Sequence, residues 1–220
     1  DYKYIDEAVD YMQLKEFEDR YLDELSGGQR QRAYIAMVIA QNSDYIFLDE
    51  PLNNLDMKHS VEIMKTLRKL CDEKDIALIL DEVQCGMGRT GTIMTYFQYD
   101  ILPDILCLAK GIGAGFPMGA FVANKKFAAA MEPGDHGSTY GGNPMAGQAC
   151  RTVFKILEET KMLDHVQDIS EYLIEKLDDL KDKYSCIKER RGLGLMIGLE
   201  FDRPVKDIVQ TCLDNGLIVV

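Results

Sequence analysis

Apolar residues return at helical spacing through residues 1–20, at Ile5, Ala8, Val9, Met12, Leu14 and Phe17, which predicts an amphipathic helix. In LDELSGGQRQRAYIAMVIAQ (22–41), Ser26 is a good N-cap and a helix is expected from about Gln29 to Ala40. DYIFLDEP (44–51) reads as a short buried strand that ends at Pro51. SVEIMKTLRKLCDEKD (60–75) reads as a helix, and IALILDEV (76–83) as a second buried strand. Strand, helix, strand in that order favours a parallel α/β sheet. The texture then changes to three glycine-rich loops, CGMGRTGTI (85–93), AKGIGAGFPMGA (109–120) and HGSTYGGNP (136–144). Helices are expected from about Pro144 to Glu159 and over about 163–183. Two strands around a glycine turn follow in CIKERRGLGLMIGLEF (186–201), then a helix near 204–215 and a strand in GLIVV (216–220).

Composition narrows the classes. Of 220 residues 46% are apolar, enough for a packed core, and no run approaches a membrane span of about 20 residues. The net charge of −12 disfavours nucleic acid as a partner. The cysteines at 71, 85, 107, 150, 186 and 212 have no Cys-x-x-Cys spacing, which suits reduced thiols in a cytoplasmic protein better than disulfides or zinc. The chain starts at Asp1 without Met and stops on an apolar run, so both ends are expected to be cut from something larger.

LSGGQRQR (25–32) puts Ser26, Gly27, Gly28 and Gln29 at a helix N-terminus, where free N–H groups and the helix dipole favour an anion. YIFLDEP (45–51) sets Asp49 at a strand end, where an acid can hold Mg²⁺, beside Glu50, which can polarise a water. NNLD (53–56), with Asp56, completes the series. In this order the motifs resemble the signature loop, Walker B strand and D-loop of ABC transporter ATPases, with wording most similar to iron-chelate importers. The chain holds no G-x-x-x-x-G-K-[ST] to cradle the phosphates. The switch histidine that the resemblance implies is also missing from IALILDEV, and His59 lies too early and reads as solvated.

LCDEKDIALILDEVQCGMGRTG (70–91), PDILCLAKGIGAGFPMGA (103–120) and GDHGSTYGGNPMAGQA (134–149) resemble class III aminotransferases, fold-type I enzymes of pyridoxal 5′-phosphate. The resemblance implies that Lys110 links covalently to the cofactor and later shuttles the proton. Asp81 would keep the ring nitrogen protonated, as an opposite charge at hydrogen-bond distance does. It further implies that Glu82 belongs to the same cofactor-binding run, that Val83 packs on the ring, and that Gln84 reaches its phenolic oxygen. Ser138 and Thr139 would bind the phosphate or substrate of a neighbouring subunit, hence a homodimer with shared sites. His136 reads as a turn residue, His165 as solvated, and Arg190 and Arg191 as a charged loop. An upstream phosphate loop, a stacking aromatic and a downstream substrate arginine are implied but not found.

The expectation is therefore a fusion with a junction near 66–75. Residues 1–70 form an ABC ATPase segment, 71–160 a mainly parallel, helix-covered large-domain fragment, and 161–220 the start of an α+β small domain. The implied reaction is transamination from an ω-amino donor such as N-acetylornithine to 2-oxoglutarate, weakened by the missing parts, with no metal. An ATP-hydrolysing importer subunit with a membrane partner and an inactive remnant are the alternatives. Exposed apolar surface and marginal stability are expected because the sheet lacks covering helices.

Overall fold

The computed structural model describes residues 2–52 and 55–219. Asp1, Val220 and the first two residues of the D-loop-like run, Asn53 and Asn54, lie outside the described residues. Helix α1 (Tyr2–Tyr11) and helix α2 (Gly27–Ile39) precede the long α3 (Met57–Lys74). Strands β1 (Ile79–Asp81), β2 (Ile105–Leu108) and β3 (Ala120–Ala123) form one sheet in the order β1-β2-β3. Helices α4 (Lys125–Ala128), α5 (Pro144–Glu159) and α6 (Met162–Lys183) follow. A hairpin of β4 (Ile187–Leu193) and β5 (Met196–Phe201) and a last helix α7 (Lys206–Asp214) end the described chain. Among the described residues, no helix is long and apolar enough to cross a membrane.

The helices start where their caps put them. Ser26 and Gln29 make a reciprocal capping box on α2: Ser26 Oγ accepts from Gln29 N at 3.4 Å, and Gln29 Oε1 accepts from Ser26 N at 2.9 Å. Asp56 accepts from His59 N at 2.9 Å and opens α3, and Asn143 opens α5 with Pro144 at its first position. Helix α3 stops at Asp75, which adopts the left-handed conformation with φ +55°.

The α/β class holds, but the sheet is small and mixed: β1–β2 is parallel and β2–β3 antiparallel. Three expected strands differ. Residues 45–51 form no strand, and Tyr45 and Phe47 are 81% and 91% exposed. An apolar run becomes a strand only when a neighbour satisfies its backbone groups, and no described strand lies beside this one. β1 is three residues long and not buried, because its outer edge has no partner. Residues 216–219 are irregular for the same reason.

The core has two parts. One gathers Ala8 and Met12 of α1, Ile35 and Ala36 of α2, Ile63, Met64 and Leu67 of α3, and Ile101 before β2. The other sets Leu106 and Leu108 of β2 and Ile112 against Cys150 and Phe154 of α5. Polar contacts tie α1 to α3 as well: Lys74 Nζ meets Glu7 Oε2 at 2.6 Å, and Tyr11 donates to Glu73 Oε2 at 2.6 Å. Asp104 stitches α3 to the sheet. It accepts from Arg68 Nη1, from Leu78 N and from Asn124 Nδ2 at 2.8, 2.8 and 2.6 Å.

Candidate functional site

The C-terminal ends of β1 and β2 lie side by side, with Asp81 in register with Cys107. In a parallel sheet this edge is where ligand-binding loops collect. β1 continues into residues 82–94 and β2 into a short 3₁₀ turn, Lys110–Gly113. Lys110 takes a left-handed backbone, φ +47°, which turns the chain sharply after the strand. Its Nζ lies 3.4 Å from Gln84 Oε1, a donor-to-acceptor contact. Gly111 packs closely on Met87: a Cβ there would lie 3.1 Å from Met87 Cβ, so Met87 would have to give way slightly.

A cleft of about 630 Å³ opens beside this pair. Lys110, Gln84 and Arg89 supply its polar groups; Leu157 of α5, Val166 of α6 and Ile197 of β5 are among its apolar walls. Asp81 and Val83, just before Gln84 in the chain, are not among its lining residues. Asp81 Oδ1 accepts from Val83 N at 2.9 Å, and Asp81 is exposed where the sequence reading expected a buried carboxylate. The open edge of β1 explains that exposure.

Glu82 departs most from expectation. It is 3% exposed and turned away from the cleft, with Oε2 accepting from Thr95 N at 2.6 Å and Oε1 from Tyr96 N at 2.7 Å. It caps the 3₁₀ turn Thr95–Tyr99 from inside and does not face the Lys110 cleft. Burial pushes its carboxyl above the ordinary glutamate range, against the pull of those two N–H groups.

Ser138 and Thr139 lie in an exposed loop between α4 and α5 and do not line the cleft. His136 in that loop packs edge-on against Phe121, ring centroids 5.2 Å apart. Arg190 and Arg191 belong to β4 and not to a loop, and both are paired. Arg190 grips Asp178 through Nε and Nη2 at 2.7 and 3.1 Å, and Arg191 meets Glu189 and Glu200. Arg89, Met87 and the β4–β5 turn carried no sequence signal beyond glycine spacing, yet they build the cleft.

The ATPase-like residues are dispersed among structural tasks. Ser26 and Gln29 cap each other, Gly27 begins α2, and Gly28 faces Leu55 and His59. Asp56 is held below the usual carboxylate range, first by the His59 backbone N–H and then by its ring, whose Nδ1 lies 2.8 Å away. His59, expected to be solvated, is thus paired. Asp49 and Glu50 are exposed on irregular backbone, and Gln31 Nε2 donates to Pro51 O at 2.8 Å. No cluster of metal-binding side chains occurs among the described residues.

Comparison with known proteins resolves the chain into two lineages. Residues 56–220 match the family described as aminotransferase class-III, and residues 2–53 match the ABC transporter family. The matches abut between 53 and 56, upstream of the junction expected near 66–75, and α3 runs through the later position without a break. Acetylornithine aminotransferase of Methanocaldococcus jannaschii is 48% identical over 158 residues, 72% of this chain and 40% of that protein. The enzyme of the same name from Clostridium acetobutylicum is 46% identical over 160 residues, 72% of this chain and 41% of its own length. An ornithine aminotransferase structure from Toxoplasma gondii, with partial occupancy of PLP at its active site, superposes with a TM-score of 0.65 at 32% identity, covering 71% of this chain and 38% of that one. The chain thus spans about two fifths of the length of its relatives. Matched over residues 56–220, it belongs to the class-III aminotransferase family and carries an ABC-transporter-type segment in front.

Proposed function

We propose that this chain carries the lysine-bearing part of a pyridoxal 5′-phosphate aminotransferase site, with Lys110 as its catalytic residue. The observation that carries the reading is the Lys110–Gln84 contact just past adjoining strand ends, in the lining of a cleft with both polar and apolar walls. The residues present fit the ring side of the cofactor. Lys110 offers an amine, Asp81 an exposed carboxylate at the neighbouring strand end, Val83 an apolar face and Gln84 an amide. The phosphate side is not supplied by this cleft, whose one further cationic group is Arg89. When bound, the cofactor supplies an electron sink for the carbon that carries the transferred amine. Lys110 Nζ would take and return the proton at that carbon. Asp81 would hold a proton on the ring nitrogen through its carboxylate. Gln84 would orient Lys110, and both side chains are exposed to solvent in this chain.

The names of the relatives support an ω-amino donor such as N-acetylornithine, and the name of a similar structure, a taurine:2-oxoglutarate aminotransferase, supports 2-oxoglutarate as the acceptor. Ser138 and Thr139, on an exposed loop, suit a role toward a second subunit, and hence a homodimer in the cytoplasm. We place the first domain boundary between 53 and 56 rather than at 70, and keep 160/161 as the second, in the turn between α5 and α6. Turnover is expected to be weak, because beside Lys110 the cleft lining offers only Arg89 as a cation for the phosphate. Titration with pyridoxal 5′-phosphate should raise a visible absorption band that Lys110→Ala abolishes. An identical band in the Lys110→Ala protein would remove the assignment.

A further inference from the structure

Residues 86–94 form an irregular loop next to Gln84, fastened from outside at three points. Gly194, in the β4–β5 turn, is buried with φ +59°, and a Cβ there would lie 2.5 Å from Thr90 Cα and 2.7 Å from Arg89 O. Leu195 N donates to Arg89 O at 2.9 Å. On α6, Gln167 Nε2 donates to Gly91 O at 2.9 Å, and Ser170 Oγ donates to Gly194 O at 2.8 Å. Ser170 is 6% exposed, so its hydroxyl has no access to water as a substitute partner.

Inside the loop the hydrogen bonds run in one direction. Thr95 Oγ1 donates to Cys85 O at 2.8 Å, so the 2.9 Å contact between Thr90 Oγ1 and Thr95 Oγ1 must have Thr90 as donor. Gln98 Nε2 closes the far side by donating to Thr90 O at 2.8 Å. Gly194 thus packs against the Thr90 backbone, and from Thr90 the bonds run through Thr95 to the carbonyl of Cys85, the neighbour of Gln84. The Thr90–Thr95 bond is buried, and there a lost partner leaves the other group unpaired, which favours a single geometry.

We propose that Ser170 and Gly194 are positioning residues: through Thr90 and Thr95 they hold Gln84 against Lys110, so that residues 161–220 set the reactivity of the lysine from behind. Its bearing on catalysis rests on the reading of Lys110 above, whereas the contact itself does not, and the test needs no cofactor. Ser170→Ala and Gly194→Ala would be made in the full chain, with Ile63→Ala as a destabilising control in the core among α1, α2 and α3. Amide exchange over residues 86–95 and the acylation rate of Lys110 relative to the other lysines would be followed by peptide mass mapping.

Loss of one hydrogen bond corresponds to roughly a fivefold rise in local opening. Ser170→Ala should show that rise over 86–95 together with faster acylation of Lys110, and Gly194→Ala a larger change in the same direction. Ile63→Ala should leave both at the parent level once global unfolding is subtracted. If Gly194→Ala does not fold, Ser170→Ala alone decides. Faster exchange with an unchanged Lys110 rate overturns the proposal, as does no change in either. A moved Lys110 rate in a chain that takes up no cofactor would support the latch while removing the enzyme reading.

Discussion

Glu82 illustrates what a single residue can conceal. Its sequence neighbours mark a cofactor strand, but its side chain turns inward and caps the backbone of Thr95 and Tyr96. Period-two alternation along a strand would have suggested this, since Asp81 and Glu82 must face opposite sides. The partners at 95 and 96 were not legible, because the loop between follows no periodic rule. Replacing Glu82 by Ala leaves two buried N–H groups without an acceptor and should cost about 2–4 kcal/mol in urea unfolding. The pH sign follows from its raised carboxyl. The folded state binds the proton more tightly than the unfolded one, so this contribution falls as pH rises from the ordinary glutamate value through the raised one. Glu82→Gln should flatten that slope in stability curves taken at several pH values. Lys110 and Gln84, by contrast, were named by the family resemblance, which did not pair them, and the structure brings them within 3.4 Å.

At the scale of elements, helices α2, α3, α5, α6 and α7 and the β4–β5 hairpin followed from the sequence closely, whereas α1 stops at Tyr11, short of the apolar run to Phe17, and the other expected strands are short or absent. Helix α5 runs Pro144–Glu159 as its cap and periodicity predict, and α6 and α7 begin and end within a few residues of expectation. A helix satisfies its own backbone, whereas a strand depends on neighbours that its sequence does not name. That is why 45–51, strongly apolar, lies irregular and exposed in this chain. Helix α3 matters most, because its apolar side meets α1 and α2 of the ABC-type segment and Ile101 of the aminotransferase part. Ile63→Ala should lower stability by about 2–5 kcal/mol. Helical and aromatic signals should fall together in one transition, because one core serves both segments. Two separate transitions would contradict that shared core.

The molecule as a whole exposes 15303 Å² for 24.9 kDa, against roughly 10,000 Å² for a packed domain of that mass. This fits a three-stranded sheet with open edges and few covering helices. Within it the ABC-type helices act as a lid on α3, so removing residues 1–52 should bare Ile63, Met64 and Leu67. The shortened chain should aggregate or bind a hydrophobic dye where the full chain does not, which light scattering and dye fluorescence would register. The lineage of each segment was readable from its motifs, but their common core was not, since nothing in either motif set names the other as a packing partner.

The central claim is that a lysine-bearing half-site survives in this fused chain. It is tested most directly by reducing the full chain with borohydride in the presence of pyridoxal 5′-phosphate and mapping where the cofactor is fixed. The expected map has the label concentrated on Lys110, lost in Lys110→Ala and reduced in Asp81→Asn. Label spread evenly over the surface lysines, with the same yield in Lys110→Ala, would contradict it.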